Sequence, residues 1–492
     1  MKSLRTKNFI YPFLLNMWGI VLLLLLGEHN IVLDVDSACY VDLHFINTMP
    51  LYPLWIHFIQ QISPSNFSLT LVLFQAVIMS ICSYIFTKTI RKHFELNSWK
   101  TFLVYTLSLF SYLVSLKEYT MAWGLQTESL AYPLFLLYAA SLFNFVWNKN
   151  YKWFIVNLVE ILLLSLTRSQ LECLYVVTAL CFFYVWMCQK NVHWHILVRF
   201  LLGGIISGFI VIAGVLGTIY SCKIILSGIE SYVQYLDNTR KEMLRYTVKD
   251  KELISYTPVE VSTQEGEVST SISDTSESQW ADGFIFKILY VADESDVQYI
   301  TNPDVQYAFL TFLSKMDSEE TRFKYLQIGP YMGGDIAAAE VALHGAPPQL
   351  QQIYNEISGT PYAVSVTPYL ISCLFVPHII DLLKVTALSM CDAMLRTVFF
   401  QKDSFFGLCY IIAFLIYLFS LLLIFLVKNR AKREMMLTII LTNLVLAFCT
   451  CLILFSLQRY IVYMFGVFYV SLFLLFDEFW RSYIAPRIRK VH

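Results

Sequence analysis

Two aspartates stand two residues apart in Leu33-Asp34-Val35-Asp36-Ser37-Ala38-Cys39-Tyr40, and the segment Met49-Pro50-Leu51-Tyr52-Pro53-Leu54-Trp55 follows closely. In extended backbone, residues i and i+2 point to the same side, so Asp34 and Asp36 can share one site. Such a pair serves as a general base with a supporting partner, or as ligands to a divalent cation. Solvated loop acids are the plainer alternative, but apolar Leu33, Tyr40 and the Pro-Leu-Tyr-Pro run flank this pair. His29, His44 and His57 are close enough in sequence to join a metal site, yet their spacing matches no ligand motif. No cofactor is therefore assigned, and a divalent ion at the first-loop acids is the one metal these residues leave room for.

Three further charges fall at the edges of apolar runs: Glu128 in Gln126-Thr127-Glu128-Ser129, Arg168 in Leu166-Thr167-Arg168-Ser169, and Arg459 just before Tyr460. Charge at membrane depth is expensive and needs a partner or a task. The guanidinium fork suits bidentate capture of a phosphate. The alternative for each arginine is snorkelling to ordinary lipid headgroups. Two arginines and an acid pair on one membrane side argue for a shared site.

The elements that must position these residues are membrane helices. The 492 residues are 57% hydrophobic, 16% aromatic and only 14% charged, with a mean hydropathy of +0.59, far too apolar for a soluble chain. A hydrocarbon core of about 30 Å takes about 20 apolar residues per helix. Apolar runs at 9–27, 68–87, 101–116, 130–147, 153–167, 171–188, 200–226, 404–427, 435–457 and 460–476 give ten candidate spans. The expected fold is an all-α polytopic membrane protein of about 10 to 12 transmembrane helices, with outer interfacial helices and a small extracytoplasmic cap.

Every second loop is basic: the N-terminal tail, Lys88 to Lys92, Lys149 to Lys152, Lys190 to Arg199, Lys428 to Arg433 and Arg487 to Lys490. The positive-inside rule makes these cytoplasmic, with both termini inside a multi-pass plasma-membrane protein. Segments 28–67, 117–129, 167–170, 227–403 and 457–459 then face outside. Residues 50–62 are short and Pro-broken, and 364–400 carry His378, Asp381, Lys384, Asp392 and Arg396, so both read as interfacial helices, with a two-span hairpin as the alternative for the second. The acidic Ser/Thr-rich stretch from Val259 to Glu277 reads as a loop, and the Gly329-Pro330 and Gly333-Gly334 turns punctuate a small folded cap. Three regions result: an N-terminal membrane module at 1–226, an extracytoplasmic region at 227–403 and C-terminal membrane helices at 404–492.

The net charge of -1 provides no basic field for nucleic acid, and no nucleotide-binding glycine loop is present. The cysteines are scattered singly, several inside apolar runs, with no disulfide framework or metal spacing. No cleavage site follows Leu26, so the first helix reads as a retained anchor.

The layout resembles the GT-C superfamily of polytopic glycosyltransferases, notably bacterial members related to protein mannosyltransferases and aminoarabinose transferases. The matching features are Asp36-Ser37-Ala38-Cys39-Tyr40, Pro50 to Pro53, Thr127-Glu128-Ser129, Thr167-Arg168 and Arg459-Tyr460. They cover the first seven helices and the last one. The Lys-Pro-Pro of the aminoarabinose transferases is missing, and Met49 stands in its place. The resemblance implies inverting transfer from a polyprenyl-phosphate sugar to a glycan, lipid or protein acceptor. Asp36 would be the general base, Asp34 its alternate, and Arg168 and Arg459 the lipid-phosphate ligands, with Glu128, Tyr40, Tyr52 and Tyr460 in the same donor site. A polysaccharide polymerase or ligase acting on lipid-diphosphate glycans is the alternative enzyme. A flippase is the non-enzymatic one, weakened because only Glu160 and Glu172 place acid inside spans.

Overall fold

In hydrocarbon a backbone amide finds no water, so a chain this apolar must close its hydrogen bonds within helices. A computed structural model describes residues 2–26, 31, 37–41, 43, 49–113, 121, 123–188, 196–247, 284–317, 346–359, 364–398, 407–453 and 458–488, and among them the architecture is helical, without an extended strand. The helices run α1 (Lys2–Leu25), α2 (Ser37–Val41), α3 (Leu51–Ile62), α4 (Phe67–Phe94), α5 (Ser98–Ser108), α6 (Phe110–Leu113), α7 (Glu128–Asn148) and α8 (Tyr151–Thr167). A 3-10 turn, Ser169–Cys173, then leads into α9 (Leu174–Cys188) and the long α10 (Ile196–Thr247). Next come α11 (284–291), α12 (Pro303–Asp317), α13 (Ala346–Ser358), α14 (Val366–Leu374), α15 (Ile379–Arg396), α16 (Gly407–Leu426), α17 (Arg430–Ile453) and α18 (Gln458–Phe479).

Among the described residues six helices are long and apolar enough to cross a bilayer: Phe67–Phe94, Glu128–Asn148, Ser169–Cys188, Ile196–Asn238, Arg430–Leu452 and Val462–Ile488. The chain is thus an all-α membrane protein with several spans. The other apolar runs are also helical: α1 and α16 have 24 and 20 residues, while α5, α6 and α8 are shorter. The 101–116 run breaks at Leu109, because the Tyr132 hydroxyl takes the Ser108 carbonyl at 2.8 Å and draws it out of the helix ladder. Helix α8, at 17 residues, reaches only about 25 Å. The 364–400 segment forms α14 and α15, which bend by 102° across a short break and form either one broken span or a re-entrant pair.

Helix α7 is the hub, buried around its whole circumference by Tyr132, Phe135, Tyr138 and Phe143, and it packs against α4, α8, α17 and α18. A helix apolar on all sides belongs inside a bundle. Polar side chains hold the bundle together from within, as expected where lipid removes the hydrophobic drive. Ser80 Oγ donates to Asn16 Oδ1 at 2.9 Å, and Asn157 Nδ2 donates to Ser141 Oγ at 2.9 Å, while Ser141 bonds Glu160. Glu160 therefore has a structural partner inside the bundle.

A second core joins α11 to α14 with Leu382 and Val385 of α15, including Leu289, Phe309, Leu313, Tyr354 and Leu370. His378, at the α14–α15 bend, lies 2.9 Å from Asp296 of the neighbouring 3-10 turn.

The ends of the bundle differ in charge. Lys100 and Arg481 pair with Asp477, Lys432 pairs with Glu478, and Arg430 pairs with Glu434. Phe94 of α4 meets both Lys432 and Arg481. His93 Nε2 lies 3.1 Å from Asn144 Oδ1 near the C-terminus of α7. Asn144 is about 24 Å along α7 from Glu128, so the basic loops gather at the end remote from Glu128.

Candidate functional site

The residue that organises the site is Glu128, the first residue of α7, whose side chain is fully buried. Arg168 follows the last residue of α8, leaves that helix in extended conformation (φ -157°, ψ 118°) and pairs with Glu128 through Nη1. Its Nη1 also reaches Thr127 Oγ1 at 3.4 Å, and the Thr127 hydroxyl donates to Glu128 Oε2 at 3.0 Å. The Arg168 side chain keeps 12% exposure, against none for Glu128, so the pair lies at a boundary with the guanidinium on the more open side. A buried charge retained in this way needs its partner, because either alone would sit desolvated.

The segment before α7 is cross-braced. Ser129 Oγ donates to the carbonyls of Met121 at 2.7 Å and Gly124 at 3.0 Å, and Tyr112 OH donates to the Ser129 carbonyl at 2.9 Å. Trp123 Nε1 donates to the Leu23 carbonyl at the end of α1, 3.3 Å away. These bonds fix the entry to α7 and with it the Glu128 carboxylate.

The first loop meets the same place. Ser37, at the start of α2, is buried and donates to the Leu125 carbonyl at 3.2 Å, three residues before Glu128. Tyr40 and Tyr52 are both buried in an edge-on contact, with ring centroids 5.2 Å apart. Gln75 of α4 donates to the Tyr52 hydroxyl at 3.2 Å. Burial, reinforced by the neighbouring Tyr112, Tyr40 and Glu128, pushes the Tyr52 phenol well above its ordinary range, against a hydrogen bond with the Gln126 backbone. Tyr52 therefore stands as a neutral hydroxyl beside Glu128.

Asp34 and Asp36 lie outside the described residues, as do His29, His44, the stretch from Val259 to Glu277 and the glycine turns at 329–334. Arg459 and Tyr460 are placed as the second and third residues of α18, their side chains outside the described set. One turn further, Tyr463 is buried against α7, its ring 5.8 Å from Phe135 and 6.5 Å from Tyr132. The approach needs Gly466, since a Cβ there would lie 2.1 Å from the Tyr132 hydroxyl. Its N–H donates to Ser111 Oγ at 2.7 Å. The start of α18 thus sits beside the first turns of α7.

Comparison of the chain with protein-family models, curated proteins and solved structures finds no match. The site stands on its own geometry.

Glu128, Arg168, Tyr40 and Tyr52 are brought together at one end of the bundle, and the backbone of Arg459 and Tyr460 begins a helix packed on α7. Sequence reading missed Gln75, Tyr112 and Ser37 as supports. Gln75 was the detectable one, a lone amide inside an apolar run. Glu172 lies buried in the turn after Arg168. Among the described residues no cluster of His, Cys, Asp and Glu could hold a metal ion. Buried Cys82, Cys173, Cys181 and Cys222 carry thiols outside any disulfide.

Proposed function

We propose that the chain is a membrane glycosyltransferase that moves a sugar from a polyprenyl-phosphate donor to a hydroxyl or amine acceptor outside the cytoplasm. The observation that carries the reading is the Glu128–Arg168 pair at the end of the bundle away from the basic loops, tied through Ser37 and Leu125 to the first loop. An arginine whose direction is set by a buried carboxylate is oriented before the ligand arrives, which reduces the ordering cost of gripping a phosphate. A polyprenyl tail is soluble only in lipid, so its phosphate must be met at a helix end.

In this reading Asp36, with Asp34 as its alternate, removes the acceptor proton. The acceptor atom attacks the anomeric carbon, the bond from that carbon to the phosphate oxygen breaks, and polyprenyl phosphate leaves. Arg168 and Arg459 stabilise the charge gathering on that phosphate, Glu128 holds Arg168, and Tyr40, Tyr52 and Tyr460 wall the donor site. The proposed topology has about ten spans in a plasma membrane, with α8 and the α5–α6 pair as short spans and both termini cytoplasmic.

The test is sugar transfer by purified protein with a radiolabelled polyprenyl-phosphate sugar. Asp36→Asn should abolish transfer while the protein keeps its melting temperature in detergent. Unchanged transfer in Asp36→Asn and Asp34→Asn alike would eliminate both residues as the base.

A further inference from the structure

At the opposite end of the bundle from Glu128, an open groove of about 820 Å³ lies between the last turns of α4 and the facing ends of α7 and α8. Lys88, Arg91 and Lys92 line it, spaced i, i+3 and i+4 so that they share one helix face. Asn144 and exposed Trp153 line it from α7 and α8. Glu95 is the one carboxylate among the lining residues, so the groove is net positive. Elsewhere at this end Lys100, Arg430, Lys432 and Arg481 are neutralised by carboxylates. No carboxylate among the described residues pairs with Lys88, Arg91 or Lys92, and Arg91 lies 5.7 Å over the Tyr11 ring instead. The same ridge turns apolar toward the bilayer: Ile85 lines the groove, and Ile81, one turn below, is exposed like Ile85.

From this juxtaposition we infer that the groove binds the headgroup of an anionic glycerophospholipid, its phosphate held by Lys88, Arg91 and Lys92 and its acyl chains lying along Ile85 and Ile81. A soluble phosphate would use the cations alone, but it would leave the apolar continuation of the ridge without a purpose. Juxtamembrane cations attract anionic lipid. Here the rings of Trp153 and Tyr84 and the Asn144 amide add a wall and a floor to that attraction. The site is separate from the donor site and holds whether or not the chain transfers sugar.

The experiment is native mass spectrometry of the full chain in detergent, titrated with dioleoyl phosphatidylglycerol or dioleoyl phosphatidylcholine. The unaltered protein should bind the anionic lipid far more tightly, and Lys88→Gln/Arg91→Gln/Lys92→Gln should weaken that binding by roughly a hundredfold. A control removing three dispersed cations of the same end, Lys428→Gln/Arg433→Gln/Arg487→Gln, should change it less than about threefold. The α4 triple variant should melt like the unaltered protein without added lipid, since its altered side chains are exposed. Equal binding of the two lipids, or equal loss in both triple variants, would overturn the site. Displacement of phosphatidylglycerol by equimolar inorganic phosphate would overturn the lipid assignment and leave a soluble-anion site.

Discussion

The Glu128–Arg168 pair makes an asymmetric prediction. Glu128→Gln keeps the shape but leaves a guanidinium beside a fully buried amide, and a guanidinium cannot lose its charge. Breaking a buried pair costs about 3–5 kcal/mol, and the 12% exposure of Arg168 places this case near the lower end, at about 3 kcal/mol. Arg168→Met strands the carboxylate instead, which can neutralise itself by taking a proton, so its penalty should be smaller, about 2 kcal/mol at neutral pH. The double variant Glu128→Gln/Arg168→Met holds no unpaired charge and should regain most of the loss. Equilibrium unfolding in mixed micelles measures all four corners, and the coupling should exceed about 2 kcal/mol. A coupling below about 0.5 kcal/mol would refute the claim that the two residues hold each other.

The remaining predictions concern packing and topology. Gly466→Ala places a methyl 2.1 Å from the Tyr132 hydroxyl, which Ser108 holds in place, and should cost about 1–3 kcal/mol in detergent melts. In a Tyr132→Phe background that cost should fall below about 1 kcal/mol, and an equal cost in both backgrounds would remove the clash as its cause. Tyr52→Phe takes the acceptor from buried Gln75 and should destabilise by about 1–3 kcal/mol, largely reversed when Gln75→Leu is added. Impermeant thiol labelling from outside intact cells should reach single cysteines introduced at Ser273 and Asp36 but not at Arg430, and labelling at Arg430 would overturn the proposed orientation.

The helices were legible because apolar runs report lipid burial directly. Among the described residues the ten apolar runs all fall on helices, with 101–116 split between α5 and α6 and 171–188 entered through the 3-10 turn. Their lengths were not legible: hydropathy cannot show that Tyr132 captures the Ser108 carbonyl and ends α5, since that bond joins residues 24 apart in sequence. The charges in 364–400 set that segment apart from the simple spans, as an interfacial helix or a two-span hairpin, but they carried no sign of the 102° bend between α14 and α15. In the site, Glu128 and Arg168 stood out as charges at the edges of apolar runs. Their pairing across 40 residues did not, because it depends on how α8 ends against α7. Glu160, one of the two acids read inside spans, has a structural partner in Ser141. Gln75 shows the converse, an amide with no motif around it that became visible only when Tyr52 was placed beside it.

The central claim is that the Arg168 end of the bundle grips a lipid-linked phosphate while Asp36 does chemistry, and donor binding separates the two most directly. Binding of a non-hydrolysable polyprenyl-phosphate sugar analogue is measured on purified Arg168→Lys, Arg459→Lys and Asp36→Asn. Lysine keeps the charge but lacks the planar fork, so each arginine variant should bind roughly ten- to a hundredfold more weakly. Asp36→Asn should bind like the parent and transfer nothing. Parent-like affinity in both arginine variants would contradict the account and move the phosphate site elsewhere on the chain.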